Sequence, residues 1–350
     1  MSEKLDHTTK PPFWISELEN KYDFRLEPNS LVPFGDGHIH KTFRVDSTEG
    51  QLILQQFNSK VFTAPEKISH NHLIMLREIN RKNIPFDLPL PVPNKNGEVF
   101  TQLTDGLFRF SPYVEGICMN EIEDPHHAFM AAKAFSQLIN AGKHIQANDL
   151  QEVIGGFNDL ELRYRQLLKA VENTKRELNH ELKELIDFYL DQKKLVEEYR
   201  IWATKLPLRL THNDTKINNL IFSKDLSTVQ AVIDLDTIMA GFAFYDFGDL
   251  VRTVACTEHE HSINWENINV DKSKYKALYE GFLEGGKDYL TKSEIASLSF
   301  GGKLMTCIMG FRFLADYLNG NIYYQIKYEA QNLHRAKNHM YLLHALDQIN

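Results

Sequence analysis

Cysteine is scarce: Cys118, Cys256 and Cys307 are the only three, widely spaced in 350 residues. They cannot all pair and show no zinc-ligand spacing, so they read as reduced thiols packed in a cytoplasmic protein. No run approaches the roughly 18 apolar residues that a membrane span needs. Residues 1–10 are polar and charged, without the apolar stretch of a secretory signal. Excess positive charge is missing too. The net charge is -8, which argues against nucleic acid or an anionic membrane as partner. Internal repeats and low-complexity tracts are absent. What remains is an ordinary globular composition, 43% hydrophobic and 25% charged, in a chain long enough to call for two lobes.

Short, turn-separated segments come first. Residues 1–25 read as a loosely held leader with a short helix near residues 13–22. Residues 33–45 read as a turn entering a strand, with residues 51–57 as its hairpin partner. Gly35 and Gly37 let the backbone fold tightly and offer N–H groups to a phosphate, although such a hairpin tip is more often only a turn. A helix is expected over residues 65–81, and a second hairpin, 99–102 with 107–110, around Thr104-Asp105-Gly106. Residues 111–116 leave the sheet as an extended connector. From Asp124 onward helical stripes dominate, including Phe129, Ala132, Phe135 and Leu138, then Leu178, Leu182, Leu185 and Tyr189 inside a charge-rich amphipathic stretch. Further stripes follow Ala255, and Thr291 to Glu294 form a capping box. Sheet first and helices later implies an α+β architecture.

The chemistry concentrates in Leu210-Thr211-His212-Asn213-Asp214-Thr215-Lys216-Ile217-Asn218-Asn219-Leu220, and in Asp234 at the end of the apolar run from Val229. The order His-x-Asp-x-Lys-x-x-Asn resembles the catalytic loop of protein-kinase-like phosphotransferases. Phosphoryl transfer needs an aligned acceptor hydroxyl, a group to take its proton and a metal to neutralise the β- and γ-phosphates. Asp214 suits the acceptor proton, and Lys216, two residues on, faces the same side towards the γ-phosphate. Asn219 and Asp234 offer the hard oxygens that magnesium prefers. His212 reads as a brace for the loop, and Asp236, Asp246 and Asp249 as structural.

These segments together resemble the aminoglycoside phosphotransferase superfamily, and within it most nearly the N-acetylhexosamine 1-kinases. The resemblance extends to residues 35–39, 53–56 and 244–249, to the run from Gly310 to Leu318, and to Ile322-Tyr323-Tyr324. It implies a protein-kinase-like two-lobed fold: a nucleotide-binding lobe over residues 1–110, a hinge at 111–116, and a catalytic and substrate lobe over 117–350. It implies ATP and Mg2+ as cofactors, Asp214 and Lys216 as catalytic residues, and Asn219 and Asp234 at the metal. Gly35, Gly37, Lys41, Tyr113 and Val114 would bind the nucleotide. His38, Arg312 and Tyr323, with Asp214, would bind an amino sugar, whose anomeric hydroxyl is phosphorylated. Without the resemblance, Arg312 reads as a helix-surface ion-pair residue, Tyr323 as a core aromatic and 111–116 as a plain linker.

Two departures stand out. Gln55 and Gln56 occupy the strand where protein kinases carry a lysine, leaving Lys41, Arg44 and Lys60 as unranked candidates for the α- and β-phosphates. Ala240-Gly241-Phe242 follows the metal strand where the sugar kinases place proline. Other acceptors remain open: another hexose, an amino alcohol such as choline, or an aminoglycoside. So does nucleotide binding without catalysis. Monomer or small homo-oligomer is expected.

Overall fold

The computed structural model describes residues 14–35, 40–59 and 62–349; Gly37, His38, Lys60 and residues 1–13 lie outside them, while residues 14–25 are not loosely held, since Ile15, Leu18, Tyr22 and Phe24 are buried. The chain builds a small antiparallel-sheet lobe at its N-terminal end and a larger helical part after it. A short helix α1 (Trp14–Glu19) precedes five strands, β1 (Val32–Pro33), β2 (Lys41–Ser47), β3 (Gly50–Phe57), β4 (Thr101–Leu103) and β5 (Gly106–Pro112). They are hydrogen-bonded in the order β1-β2-β3-β5-β4. Side chains alternate faces along each strand. Phe43, Val45, Leu52, Leu54, Phe108 and Phe110 pack with Ile15 and Leu18 of α1. The other face of the sheet carries Thr42, Arg44, Ile53, Gln55 and Arg109, because directly opposed residues share a face and the register pairs Thr42 and Arg109 with Gln55.

Helix α2 (Pro65–Glu78) opens with proline at its first turn, where no N–H is missed. It stops at Glu78, short of the expected Arg81, where Ile79 turns extended. The connector after β5 is held at both ends. The Tyr113 N–H donates to the Gln51 carbonyl (3.0 Å), and Ile117 exchanges backbone hydrogen bonds of 2.8 and 2.9 Å with Phe222. Gly116 makes this approach possible, since a β-carbon there would lie 2.3 Å from the Phe222 carbonyl oxygen.

The helical part contains α3 (Pro125–Ala141), α4 (Leu160–Asn173), α5 (His180–Leu190), α6 (Lys193–Lys205), α7 (Ala243–Leu250), α8 (Lys272–Gly286), α9 (Lys292–Leu318) and α10 (Gln331–Asp347). The amphipathic stretch expected around residues 175–200 is two helices rather than one, and Leu178 lies outside both, exposed. Helices α3 and α8 press backbone to backbone; a β-carbon on Gly281 would sit 2.2 Å from the Phe129 carbonyl. The capping box forms as expected at the start of α9. Glu294 of that box also takes a two-pronged bond from Arg209 (3.0 and 3.1 Å).

Two small two-stranded sheets, only the first of them a hairpin, sit against this helical mass. β7 (Leu220–Phe222) pairs with β8 (Val229–Val232), and β6 (Arg209–Thr211) with β9 (Met239–Gly241). Cys307 is buried in α9, but Cys118 is exposed, which corrects the expectation that each cysteine is packed. Among the described residues no helix is long and apolar enough to cross a membrane.

Candidate active site

The loop from His212 to Asn219 runs between β6 and β7 and is held by a buried carboxylate beneath it. Asp246 of α7 accepts the backbone N–H groups of His212 and Asn213, both at 2.8 Å, and its own carbonyl receives the Thr215 hydroxyl (2.7 Å). Asn213 takes a left-handed conformation (φ 65°), which asparagine tolerates better than most residues. Its side-chain amide bonds the carbonyls of Thr211 and Thr237, at 3.0 and 3.1 Å. His212 donates from Nε2 to the Ile233 carbonyl (2.9 Å), so its ring braces the loop as the sequence suggested. Asp246 is pushed up to about 6 by burial, against the loop N–H groups that favour its charge.

Asp214 stands at the centre of this frame with its side chain partly exposed. Lys216 Nζ lies 3.0 Å from Asp214 Oδ1. The Asn219 amide nitrogen donates to the Asp214 carbonyl (2.8 Å) and, at 3.3 Å, to its Oδ2. Burial acts to raise the Asp214 pKa, but the Lys216 ammonium and the neighbouring His212 and Arg252 outweigh it, and the net effect is a lowered value. Behind them lies an ionic cluster: Arg252 bonds Asp249 (2.7 Å) and Glu260 (3.1 Å).

Asp234 follows β8 in a left-handed conformation (φ 57°, ψ 54°). The carbonyl of Asn219 accepts the N–H of Ile233 (2.9 Å), which ties the two acidic segments together. Desolvation and the nearby carboxylates of Asp236 and Asp214 push Asp234 up to about 7, while the residue itself stays open to the cleft. Its neighbour Asp236 points the other way. Arg109 of β5 grips both Asp236 oxygens at 2.5 and 2.8 Å, and His40 Nε2 approaches to 3.3 Å. Although burial opposes it, the Arg109 guanidinium holds Asp236 far below the usual carboxylate range.

The nucleotide-side candidates divide. Gly35 occupies the left-handed region (φ 76°), as a tight glycine turn requires. The Tyr113 ring meets Phe34 edge-on at 5.6 Å, and the Arg44 guanidinium lies 5.5 Å from the Tyr113 ring; Val114 follows in the half-buried connector. Lys41 does not join them. It is exposed opposite Gln56, on the sheet face away from Gln55 and Arg109, because successive strand residues alternate sides. Gln56 itself bonds the Asp105 carbonyl (2.7 Å) at the sheet rim.

At the other end of the cleft Arg312 lies 5.3, 5.7 and 5.6 Å from the rings of Phe157, Tyr323 and Tyr324. Among the described residues it has no ion pair; its one hydrogen bond reaches the Met309 sulfur (3.8 Å). The expected surface ion pair is therefore not formed, and Tyr323 is no core residue, being 68% exposed. Asp316, one turn beyond Arg312, is spent elsewhere: it accepts the N–H groups of Ile322, Tyr323 and Tyr324 at 3.0, 2.8 and 3.0 Å. Arg163, bonded to the Phe157 carbonyl (3.1 Å), brings a second guanidinium beside the first, and burial together with Arg312 lowers its pKa. The Tyr324 hydroxyl and Arg163 Nε are buried without a partner among the described residues. Asn158 bonds Asn213 (3.2 Å), which joins this aromatic end to the Asp214 loop.

A profile of the phosphotransferase enzyme family matches residues 30–270. The chain belongs to that family. Solved structures agree on the fold of this phosphotransferase. An aminoglycoside phosphotransferase from Alicyclobacillus acidocaldarius superposes with a TM-score of 0.63 at 15% identity, over 97% of both chains. Spectinomycin phosphotransferase, in complex with ADP and spectinomycin, reaches 0.54 at 12% identity over 96% of this chain and 98% of its own. Choline kinase from Cryptosporidium parvum reaches 0.54 at 12% over 93% of each.

Sequence reasoning missed three residues that frame this phosphotransferase's site: Arg109, Arg163 and Asp316. Arg109 alternates with buried residues in an ordinary strand, and its partner is 127 positions away. Arg163 sits in an amphipathic helix where a charge signals only a solvated face, and Asp316 is a carboxylate in the largely buried helix α9 whose partners lie in the turn beyond it.

Proposed function

We propose that this phosphotransferase is an ATP- and Mg2+-dependent kinase that transfers phosphate to the anomeric hydroxyl of an N-acetylhexosamine, GlcNAc or GalNAc, giving the sugar 1-phosphate. Asp214 hydrogen-bonds the acceptor hydroxyl and takes its proton as the oxygen attacks the γ-phosphorus. The new O–P bond forms as the bond to the β–γ bridging oxygen breaks, and ADP departs with that electron pair. Such transfers pass through a loose transition state, so alignment matters more than base strength. A depressed Asp214 is suited to that task. Lys216 holds positive charge beside the base and towards the transferring group.

Magnesium fits the donor set. The Asn219 amide nitrogen is occupied by Asp214, which leaves its carbonyl oxygen free to face a cation. Asp234 has two carboxylates pressing on it and none of the ion pairs formed among the described residues. Hard neutral and charged oxygens in small number are what magnesium takes alongside phosphate. When bound, the ion would neutralise the β- and γ-phosphate oxygens. Gly35, the Tyr113–Val114 connector and Arg44 serve the nucleotide; the fold shared with an ADP-bound relative supports that use.

The observation that carries the acceptor class is the positive, aromatic end of the cleft. Arg312 and Arg163 present two guanidiniums side by side, Arg312 without an ion pair among the described residues and Arg163 with the Asp159 carboxylate acting on it only from a distance, beside a buried tyrosine hydroxyl without a partner among the described residues. Such a surface repels aminoglycosides and choline. The rings alone would suit a quaternary ammonium, but Arg312 already lies against each. An uncharged, hydroxyl-rich acceptor with an amide carbonyl matches forked donors and ring faces.

The test is ADP release with ATP, Mg2+ and a panel of N-acetylhexosamines, other hexoses, choline and aminoglycosides, with the product identified by phosphorus NMR. A 1-phosphate of GlcNAc or GalNAc is expected. Turnover confined to a cationic acceptor would refute the acceptor assignment, and nucleotide binding without turnover on any acceptor would refute catalysis.

A further inference from the structure

The strand that carries a lysine in protein kinases here carries Gln55, and an amide cannot supply that charge. The nearest cation on the same sheet face is Arg109, directly opposite in the ladder. Its Nε donates to Gln55 Oε1 (2.8 Å), and its two terminal nitrogens clasp both oxygens of Asp236. The rings of Phe57 and Phe100 lie 5.5 and 5.4 Å from the guanidinium carbon, and the side chain is only 6% exposed. Enclosed in this way, Arg109 is directed at Asp236 rather than at the open cleft.

Other groups from the sheet side grip the same turn, Leu235–Thr237. His40 reaches Asp236 at 3.3 Å, the His72 ring bonds the Leu235 carbonyl (3.1 Å), and the Asn71 amide bonds the Ile238 carbonyl (2.8 Å). The turn starts at Asp234, whose left-handed backbone is costly for a residue other than glycine and persists only when its surroundings impose it. A buried ion pair is a poor source of stability, since apolar replacements commonly serve as well. Its presence here asks for a positional reason.

We propose that Arg109 is a positioning residue rather than a substitute for the charge of the strand lysine. Acting through Asp236, it sets the turn that aims Asp234 into the cleft, so the small lobe dictates where that carboxylate stands. The proposal rests on the reading of Asp234 as the carboxylate of the phosphate end.

Two variants test it: Arg109→Lys, which keeps the charge but loses the fork and the Gln55 bond, and the double variant Arg109→Met with Asp236→Asn, which removes both charges and leaves no buried ion unpaired. The double variant is expected to keep most of the wild-type melting temperature. Amide exchange across residues 234–238 should nevertheless accelerate about tenfold or more. With the acceptor found in the panel, kcat should fall about 100-fold, the loss typical of a misplacement of about 1 Å, and the half-saturating Mg2+ concentration should rise while the acceptor KM holds. Arg109→Lys should show the same pattern, more weakly. Wild-type exchange and wild-type kcat in either variant would overturn the proposal, as would a rise in the KM for ATP alone, which would mark Arg109 as a direct phosphate ligand. Exchange requires no turnover. If no acceptor is phosphorylated by the wild-type protein, the proposed function fails while the exchange result still decides the role of Arg109.

Discussion

At Asp214 and Asp234 two carboxyl groups in one cleft are driven in opposite directions. Asp214 is lowered by Lys216 in spite of its burial, so it stays ionised across the neutral range. Asp214→Asn should therefore reduce kcat by about 100- to 10,000-fold, the range of a lost general base, and lower the melting temperature at neutral pH, because a carboxyl lowered in the folded state adds stability above its unfolded pKa. Asp234 is raised to about 7 by desolvation of its carboxyl and by its acidic neighbours Asp236 and Asp214, so at lower pH magnesium has to displace a proton from it. The Mg2+ requirement of the wild-type enzyme should climb as pH falls below about 7, and Asp234→Asn should abolish that dependence. The stability effect has a definite sign. A carboxyl raised in the folded state imposes no penalty below its unfolded pKa of about 3.9, a growing one above it, and the full penalty above about 7. Asp234→Asn should thus raise the melting temperature of the ligand-free protein at pH 8 and leave it unchanged near pH 3. At this scale Asp214, Lys216 and Asn219 were legible because their chemistry lies within six consecutive residues, and Asp234 because it ends a plain apolar strand. Arg109 was not, since only the folded sheet brings it to Asp236.

Among the elements, the turn after α9 depends on a single side chain. Asp316 gathers three successive backbone N–H groups and the Asn332 amide (2.9 Å), fixing the segment that carries Tyr323 and Tyr324. Bonds to a charged group are worth about 1.5–3 kcal/mol each. Asp316→Asn should loosen the turn, raise the acceptor KM about tenfold and leave the KM for ATP unchanged in steady-state assays. The capping box of α9 could be read from four residues because its bonds are local. Strand β9 could not: three residues, Met239-Ala240-Gly241, carry no periodicity of their own and become a strand by pairing with β6. The break between α5 and α6 escaped for a related reason, since a charge-rich surface helix shows the same pattern whether continuous or interrupted.

In the molecule as a whole, the small sheet lobe and the helical part are joined by the connector, by the contacts of the Leu235–Thr237 turn, by the backbone bonds of Asp87 with Gln230 (2.7 Å) and Val232 (3.1 Å), and by the bonds of His70 and Asn71 to Asp149 and Gln151. The order of segments, sheet then helices, was legible from the change of periodicity. The pairing of Ile117 with Phe222 was not, because it depends on how closely two distant backbones approach. Gly116→Ala would place a methyl group 2.3 Å from a carbonyl oxygen, so that pairing should break. Lower thermal stability and a raised KM for ATP are the expected outcomes.

That pairing also limits how the enzyme can open. With Tyr113 bound to Gln51 on one side and Ile117 to Phe222 on the other, torsional freedom is confined to a handful of peptide units between them. A second pair of backbone bonds, between Asp87 and Gln230 and Val232 (2.7 and 3.1 Å), adds its resistance to any sliding of the two halves past one another.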